Sequence, residues 1–262
     1  MRFGWCVAPE MLQAAARAGC DFVELPASLL QPERPESEIA SVWEGLRGSA
    51  ARPEVWQVSL PPGVALVGHD VDWARIARYV HTAFRRSSLA GGSVMVVRGG
   101  EGEGVPAGFP RRQMMDQLIA FLRMCGAVAR NQGLSVAVEP LSPGCGGLVT
   151  SVPEAIELAR QVEMPNVGVA PNVAAMLAGG QSLFDIADAA SWLAHVRISA
   201  GELRNMDGRE DGLTQLTEAL RLADYDWRLS VEPEPGIEGK EPGLTEALAI
   251  LKRCMGGARR GT

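Results

Sequence analysis

The chain has 262 residues, 47% hydrophobic and 21% charged, which is long enough for one large α/β domain and ordinary for a globular fold in water. Its net charge of −6 argues against nucleic acid as a partner, because a phosphate-binding face is basic. No apolar run reaches membrane-spanning length, and the start MRFGWCVAPE lacks a secretory core; the five scattered cysteines, without a C-x-x-C, fit a reducing cytoplasm.

Short β-branched runs alternate with longer amphipathic ones. A strand is expected at 2–7 (RFGWCV), then a helix over PEMLQAAARAG, with Pro9 near its start and Gly19 as its stop. A second strand at 22–25 (FVEL) leads to the helical run SEIASVWEGLRG. A third at 55–60 (VWQVSL) leads to DWARIARYVHTAFRRSSLAGG, and a fourth at 93–98 (SVMVVR) to RRQMMDQLIAFLRMCGAVARNQG. Between the last two, GGEGEG (99–104) matches no phosphate-loop pattern and reads as a loop. A fifth strand at 134–140 (LSVAVEP) precedes SVPEAIELARQV, where Ser151 and Glu154 have capping-box spacing. Strands at 166–172, 193–199 and 227–233 follow, with helical runs LFDIADAA, LTQLTEALRLAD and LTEALAILKRCM between and after them. The acidic VEPEPGIEGKEPG reads as a surface loop. The pairs Arg85–Arg86, Arg111–Arg112 and Arg259–Arg260 read as solvated helix faces or tail.

Eight strand-helix units of about 30 residues each predict a single (β/α)8 barrel over residues 1–262. The first turn, CVAPEM, has no G-x-G-x-x-G, against a dinucleotide-binding sheet. In a barrel of this kind the chemistry sits at the C-terminal strand ends. Those ends carry Glu24, Arg98, Glu139, Asn172, Arg197 and Glu232. Strand alternation sets Val136 and Val138 on one face and Ser135, Ala137 and Glu139 on the other. The same parity groups Gly168, Ala170 and Asn172, then His195, Arg197 and Ser199, then Ser230 and Glu232. Small residues thus fill the deep layers, and a polar residue tops each strand.

These ends resemble the xylose-isomerase-like barrels, which include sugar isomerases, ketose 3-epimerases, inosose dehydratases and apurinic endonucleases. GCDFVEL is similar to the family's second strand, VMVVRGG to its fourth and LSVAVEPLSP to its fifth. NVGVAPNVAAM is similar to the sixth, AHVRISAGELR to the seventh and LSVEPEP to the eighth. The resemblance implies a mouth that takes a sugar or polyol, and a divalent metal held by two glutamates, an aspartate and a histidine. Glu139 and Glu232 stand at the two glutamate positions. Asn172 stands at the aspartate, Arg197 at the second histidine of His-x-His, and Ala175 where many relatives keep a histidine near the substrate. His195 matches the first histidine of that pair. Arg204 lies near an arginine that holds substrate oxygens in some relatives.

An arginine has no lone pair to offer a cation, so Mn, Zn or Mg is not favoured here and no cofactor is expected. Two glutamates without a metal repel each other. A guanidinium between them removes the repulsion, so Arg197 is expected to bridge Glu139 and Glu232. The resemblance implies an isomerase or epimerase with Glu139 and Glu232 as catalytic carboxylates; Arg197, Asn172, His195, Arg98, Arg204 and His69 are the candidate substrate contacts. The alternative is a catalytically degenerate barrel that binds a ligand or serves beside an active partner; nuclease activity fits least. A homo-oligomer is compatible with such barrels, although no segment marks an interface. Cys145 reads as a free thiol, His81 as a helix-face residue, and Trp5, Trp56 and Phe109 as core aromatics or an apolar wall of the pocket.

Overall fold

The computed structural model describes residues 1–99, 108–208, 212–233 and 241–255. Eight parallel strands form one sheet: β1 (Arg2–Cys6), β2 (Phe22–Pro26), β3 (Pro53–Val58), β4 (Val94–Arg98), β5 (Ser135–Glu139), β6 (Val167–Val169), β7 (Val196–Ser199) and β8 (Arg228–Glu232). Their order is β6-β5-β4-β3-β2-β1-β8-β7, so the strands furthest apart in sequence, β1 and β8, are neighbours. They pair from Arg2↔Arg228 to Trp5↔Val231. The ring closes between β6 and β7 through two single bridges, Val169↔Leu193 and Asn172↔Arg197. Arg197 N donates to Pro171 O at 2.9 Å across this seam. Gly168 makes the approach possible, because a Cβ there would lie 2.3 Å from the Trp192 carbonyl oxygen. The expected α/β barrel is the observed architecture.

The helices are α1 (Leu12–Arg17), α2 (Ala40–Arg47), α3 (Trp73–Leu89), α4 (Arg111–Asn131), α5 (Val152–Val162), α6 (Val173–Ala178), α7 (Asp185–Asp188), α8 (Ala200–Asp207), α9 (Gly212–Leu222) and α10 (Glu241–Met255). Their apolar faces pack on the outer strand faces in one large buried cluster. Inside the ring, Phe22, Val55, Val94, Val96, Ala137 and Ala170 form a second, smaller core. Phe22 fills the barrel axis because Gly4 gives it room; a Cβ on Gly4 would meet its ring at 2.3 Å. Below it, Glu54 receives both terminal nitrogens of Arg2, each at 2.6 Å, and Arg228 Nε at 2.7 Å. The Arg2 guanidinium also lies 5.8 Å from the Phe22 ring centroid. This polar plug closes the N-terminal end of the barrel.

Several features differ from the sequence expectation: the third strand runs Pro53–Val58 rather than 55–60. The sixth strand stops at Val169 rather than 172: Pro171 has no N–H to give, and Asn172 begins a helix by accepting from Ala174 N and Ala175 N. The seventh begins at Val196 rather than 193, because a 3-10 turn over Ala190–Trp192 precedes it. Helices α6 and α8 fall where only loop was expected. At α5, Ser151 Oγ caps Glu154 N as expected, but the Glu154 carboxylate turns back to Thr150 N at 2.7 Å. Most of the two glycine-rich segments, 100–104 and 234–240, and the Arg259–Arg260 pair lie outside the described residues. No helix among the described residues is long and apolar enough to cross a membrane.

Candidate active site

Strand alternation brings Glu24, Glu139 and Arg197 to the inner face at the C-terminal end of the ring, with Glu232 at the end of β8 and Asn172 just past β6. Arg197 is the centre of this group and only 3% exposed. Its Nη1 donates to Glu139 Oε2. Its Nη2 lies 2.6 Å from Glu232 Oε1, 3.2 Å from Glu24 Oε1 and 3.7 Å from Cys6 Sγ. Asn172 Nδ2 donates to Glu139 Oε1 at 2.7 Å and to Glu232 Oε2 at 2.8 Å. The Asn172 carbonyl oxygen is spent on the first turn of α6, which fixes the amide with its nitrogen toward the acids. The expected bridge from Arg197 to both glutamates is therefore present, and the asparagine makes a second bridge between the same two.

Glu24 enters from β2, across the ring from β7, and was read from sequence only as a strand end. It links the mouth to the layer below. There His195 Nε2 sits 3.2 Å from Glu24 Oε2 and 2.9 Å from Ser230 Oγ. His195 is fully buried. Expected among the substrate contacts, it lies two residues before Arg197 on the same face, one layer beneath the mouth, against Glu24 and Ser230.

Proton affinities follow the packing. Burial raises the Glu24 carboxyl, but the Arg197 charge and the His195 and Ser230 hydrogen bonds outweigh it and hold Glu24 at about 2. Glu139 moves the other way. Burial drives it up, the Glu232 charge adds to this, and Arg197 and Asn172 do not fully offset them. Burial also lowers His195, favouring its neutral form, and pushes the Cys6 thiol well up. Burial opposes the Arg197 charge, yet the surrounding carboxylates raise its proton affinity well above the ordinary value.

The other expected contacts are more dispersed. Arg98 is exposed at the end of β4, where its Cα pairs in register with Glu139, and it lines a cavity of ≈ 510 Å³ under residues 58–66. His69 is exposed in the segment after β3, edge-on to Phe109 at 4.9 Å. Arg204 is half-buried on α8. Ala175 is buried in α6, its N–H on Asn172 Oδ1. Cys145 is an exposed free thiol, and His81 is exposed on α3. Trp56 is buried in the core with Nε1 on Pro53 O, and Trp5 is buried in the same outer core, bordering the mouth. That mouth is a cavity of ≈ 590 Å³ whose lining includes Trp5, Cys6, Glu10, Glu24, Arg197 and Glu232.

The family pattern implies a divalent metal among the strand ends, and these residues do not fit one. A guanidinium holds the centre, the amide turns its nitrogen rather than its oxygen inward, and neither offers a lone pair. Among the described residues no group of three or more His, Cys, Asp or Glu side chains is placed to hold an ion.

Comparison with known structures agrees with this fold. The D-psicose 3-epimerase from Clostridium cellulolyticum H10, solved with D-tagatose, superposes with a TM-score of 0.81 at 17% identity, covering 97% of this chain and 99% of that one. The 3-keto-D-glucoside 4-epimerase from E. coli, in apo form, gives 0.78 at 18%, covering 97% and 100%. The IOLI protein with a binding zinc atom gives 0.72 at 16%, covering 100% of both chains. At these identities the likeness is one of fold. No curated protein matches the chain by sequence. The family model for xylose isomerase-like TIM barrels matches residues 12–254, nearly the whole of the sequence, and the chain belongs to that family.

Proposed function

We propose that this chain binds a small polyhydroxylated compound, a sugar or polyol, at the C-terminal mouth of its barrel, and does so without the family's divalent metal. The observation that carries the reading is the position of Arg197, in contact with Glu24, Glu139 and Glu232 beneath an open cavity of ≈ 590 Å³. A cavity of this size suits a small ligand, about 300–1,000 Å³ being usual. Its wall offers Gln57 and Glu232 as polar contacts and Met11 and Pro233 as apolar ones. The sugar epimerases among the structural neighbours support the substrate class by analogy of fold. The reading treats residues 1–262 as one barrel domain, acting in the cytoplasm on a small molecule rather than on nucleic acid or a membrane.

A second reading, epimerase or isomerase chemistry, is favoured by one observation. Glu139 has a raised proton affinity, and Asn172 joins it to Glu232, whose side chain is 26% exposed. Glu232 would take a proton from carbon beside a carbonyl, and Glu139 would hold the proton to be returned. The negative charge formed on the substrate oxygen needs a cation. Arg197, the cation in the wall of the mouth cavity, would be the stabilising group.

Calorimetric titration with a panel of ketoses, aldoses and cyclitols, with and without EDTA, tests both. Binding that EDTA leaves unchanged is expected. Binding or turnover abolished by EDTA overturns the metal-free reading, and the absence of binding by every compound overturns the sugar reading. Conversion of a sugar in EDTA selects the second reading over the first.

A further inference from the structure

A second cavity opens at the ends of β3 and β4. It measures ≈ 510 Å³, within the range of about 300–1,000 Å³ usual for a small ligand. Its lining combines the buried Val58, Val97 and Phe121 with Leu60, Pro61 and Val64 of the segment after β3, which are half-buried. The run 58–68, VSLPPGVALVG, carries no charged side chain. Segments that follow strands at this face of a barrel are the ones that meet ligands, and one of this composition offers an apolar surface. It is also held in place. Gln117 of α4 accepts from Gly68 N at 2.9 Å and donates to Gly68 O at 2.8 Å, so the space is formed before a ligand arrives.

The two cavities lie on either side of one strand end. Gln57 of β3 lines the mouth, while Val58 and Ser59, the next residues of the chain, line the second cavity. On β4, Arg98 lines the second cavity, and its register partner Glu139 is ion-paired with Arg197. A compound seated in the mouth therefore needs to extend only past the end of β3 to reach the apolar space. Arg98 is the one charged side chain in the described lining, and a guanidinium stacks on an aromatic face.

Resting on the reading of the mouth as a sugar or polyol site, we infer that the second cavity takes an aromatic aglycone. The ligand is then an aryl glycoside, with its sugar over the Arg197 cluster and its ring among Val64, Phe121 and Arg98.

The test is calorimetric titration of the full chain with matched methyl and phenyl glycosides of D-glucose, D-galactose, D-xylose and any further sugar that the mouth binds, alongside the free sugars. For a sugar that binds, the phenyl glycoside is expected to bind about tenfold more tightly than the methyl one, from the apolar area that the ring buries. Val64→Asp, and separately Ala65→Glu, should erase the difference within the pair. Equal binding within every pair overturns the inference and leaves the sugar reading intact, as does a free sugar that binds while its glycosides do not. A phenyl advantage that survives both substitutions overturns it as well, because the ring then lies elsewhere. Failure of all these compounds and of the wider panel of ketoses, aldoses and cyclitols overturns the reading of the mouth itself.

Discussion

Asn172 and Arg197 are bridge partners across the seam between β6 and β7, and both reach the same two glutamates, Glu139 of β5 and Glu232 of β8. The seam has little backbone pairing of its own. The side chains therefore carry part of the work of closing the ring, tying β5, β6, β7 and β8 together, with Glu24 adding β2.

Removing the cation alone should be severe. Arg197→Met leaves three carboxylates facing one another in a buried site, and a loss of about 3–5 kcal/mol is expected. Adding Glu139→Gln and Glu232→Gln should restore part of it, and adding Glu24→Gln should restore more. Urea midpoints of the single, triple and quadruple variants measure this. Equal midpoints for single and triple would remove the idea of Arg197 as a built-in cation.

Acid stability should depend on Glu24. Its carboxyl titrates at about 2 in the fold against an ordinary 4.5, so it stabilises the fold above 4.5 and loses that contribution as the pH falls toward 2. The weight is on the order of a few kcal/mol. Glu139 has the opposite sign, because a raised carboxyl favours the fold at low pH and opposes it as the pH rises through the ordinary value. Glu24→Gln should therefore be less stable than the parent at neutral pH, with the gap closing in acid. Glu139→Gln should show no such closing gap. Urea midpoints measured across the acid range separate the two.

The donor set should be reversible. Arg197→His combined with Asn172→Asp supplies two lone-pair donors beside Glu139 and Glu232. The double variant is expected to take up one Mn or Zn ion per chain, and the parent none, by elemental analysis after dialysis. Metal uptake by the parent that is lost on Glu139→Gln would contradict the reading of the site.

The seam should not tolerate a methyl group at Gly168. The obstructing atom is a backbone oxygen at 2.3 Å, so no side chain can turn aside. Gly168→Ala should cost about 1–3 kcal/mol, seen as a lower urea midpoint. An unchanged midpoint would mean that the β6 and β7 segments do not approach this closely.

Much of the fold was legible in the sequence because each strand's period and each helix's apolar stripe are local. The inward parity of Glu139, Arg197 and Glu232 came from the same signal. The contact from Glu24 to Arg197 was not legible, because it crosses the barrel from β2 to β7 and no single strand's alternation reports what lies opposite. The depth of His195 was implied by its parity, two residues short of the strand's polar end. Signals for α8 and α6 were present but short. Ser199 and Glu202 have cap spacing, and Ser199 Oγ does accept from Glu202 N. Asn172, just before VAAM, had a cap role of its own, which a strand drawn to residue 172 concealed.

Two closures of the ring differ in what they ask of the chain. The β1–β8 contact joins segments more than 200 residues apart and carries a four-residue register. The β6–β7 seam joins neighbours in sequence, tied by a connection of fewer than 30 residues and held by two bridges. Separating β1 from β8 would release a very long loop and its entropy, whereas parting β6 from β7 leaves the tether almost unchanged. Of these two closures, the β6–β7 seam is the one that recloses at the smaller entropic penalty. The group that holds it shut is the same one that lies beneath the mouth cavity, so a ligand bound there, as proposed, and local unfolding would draw on one set of contacts.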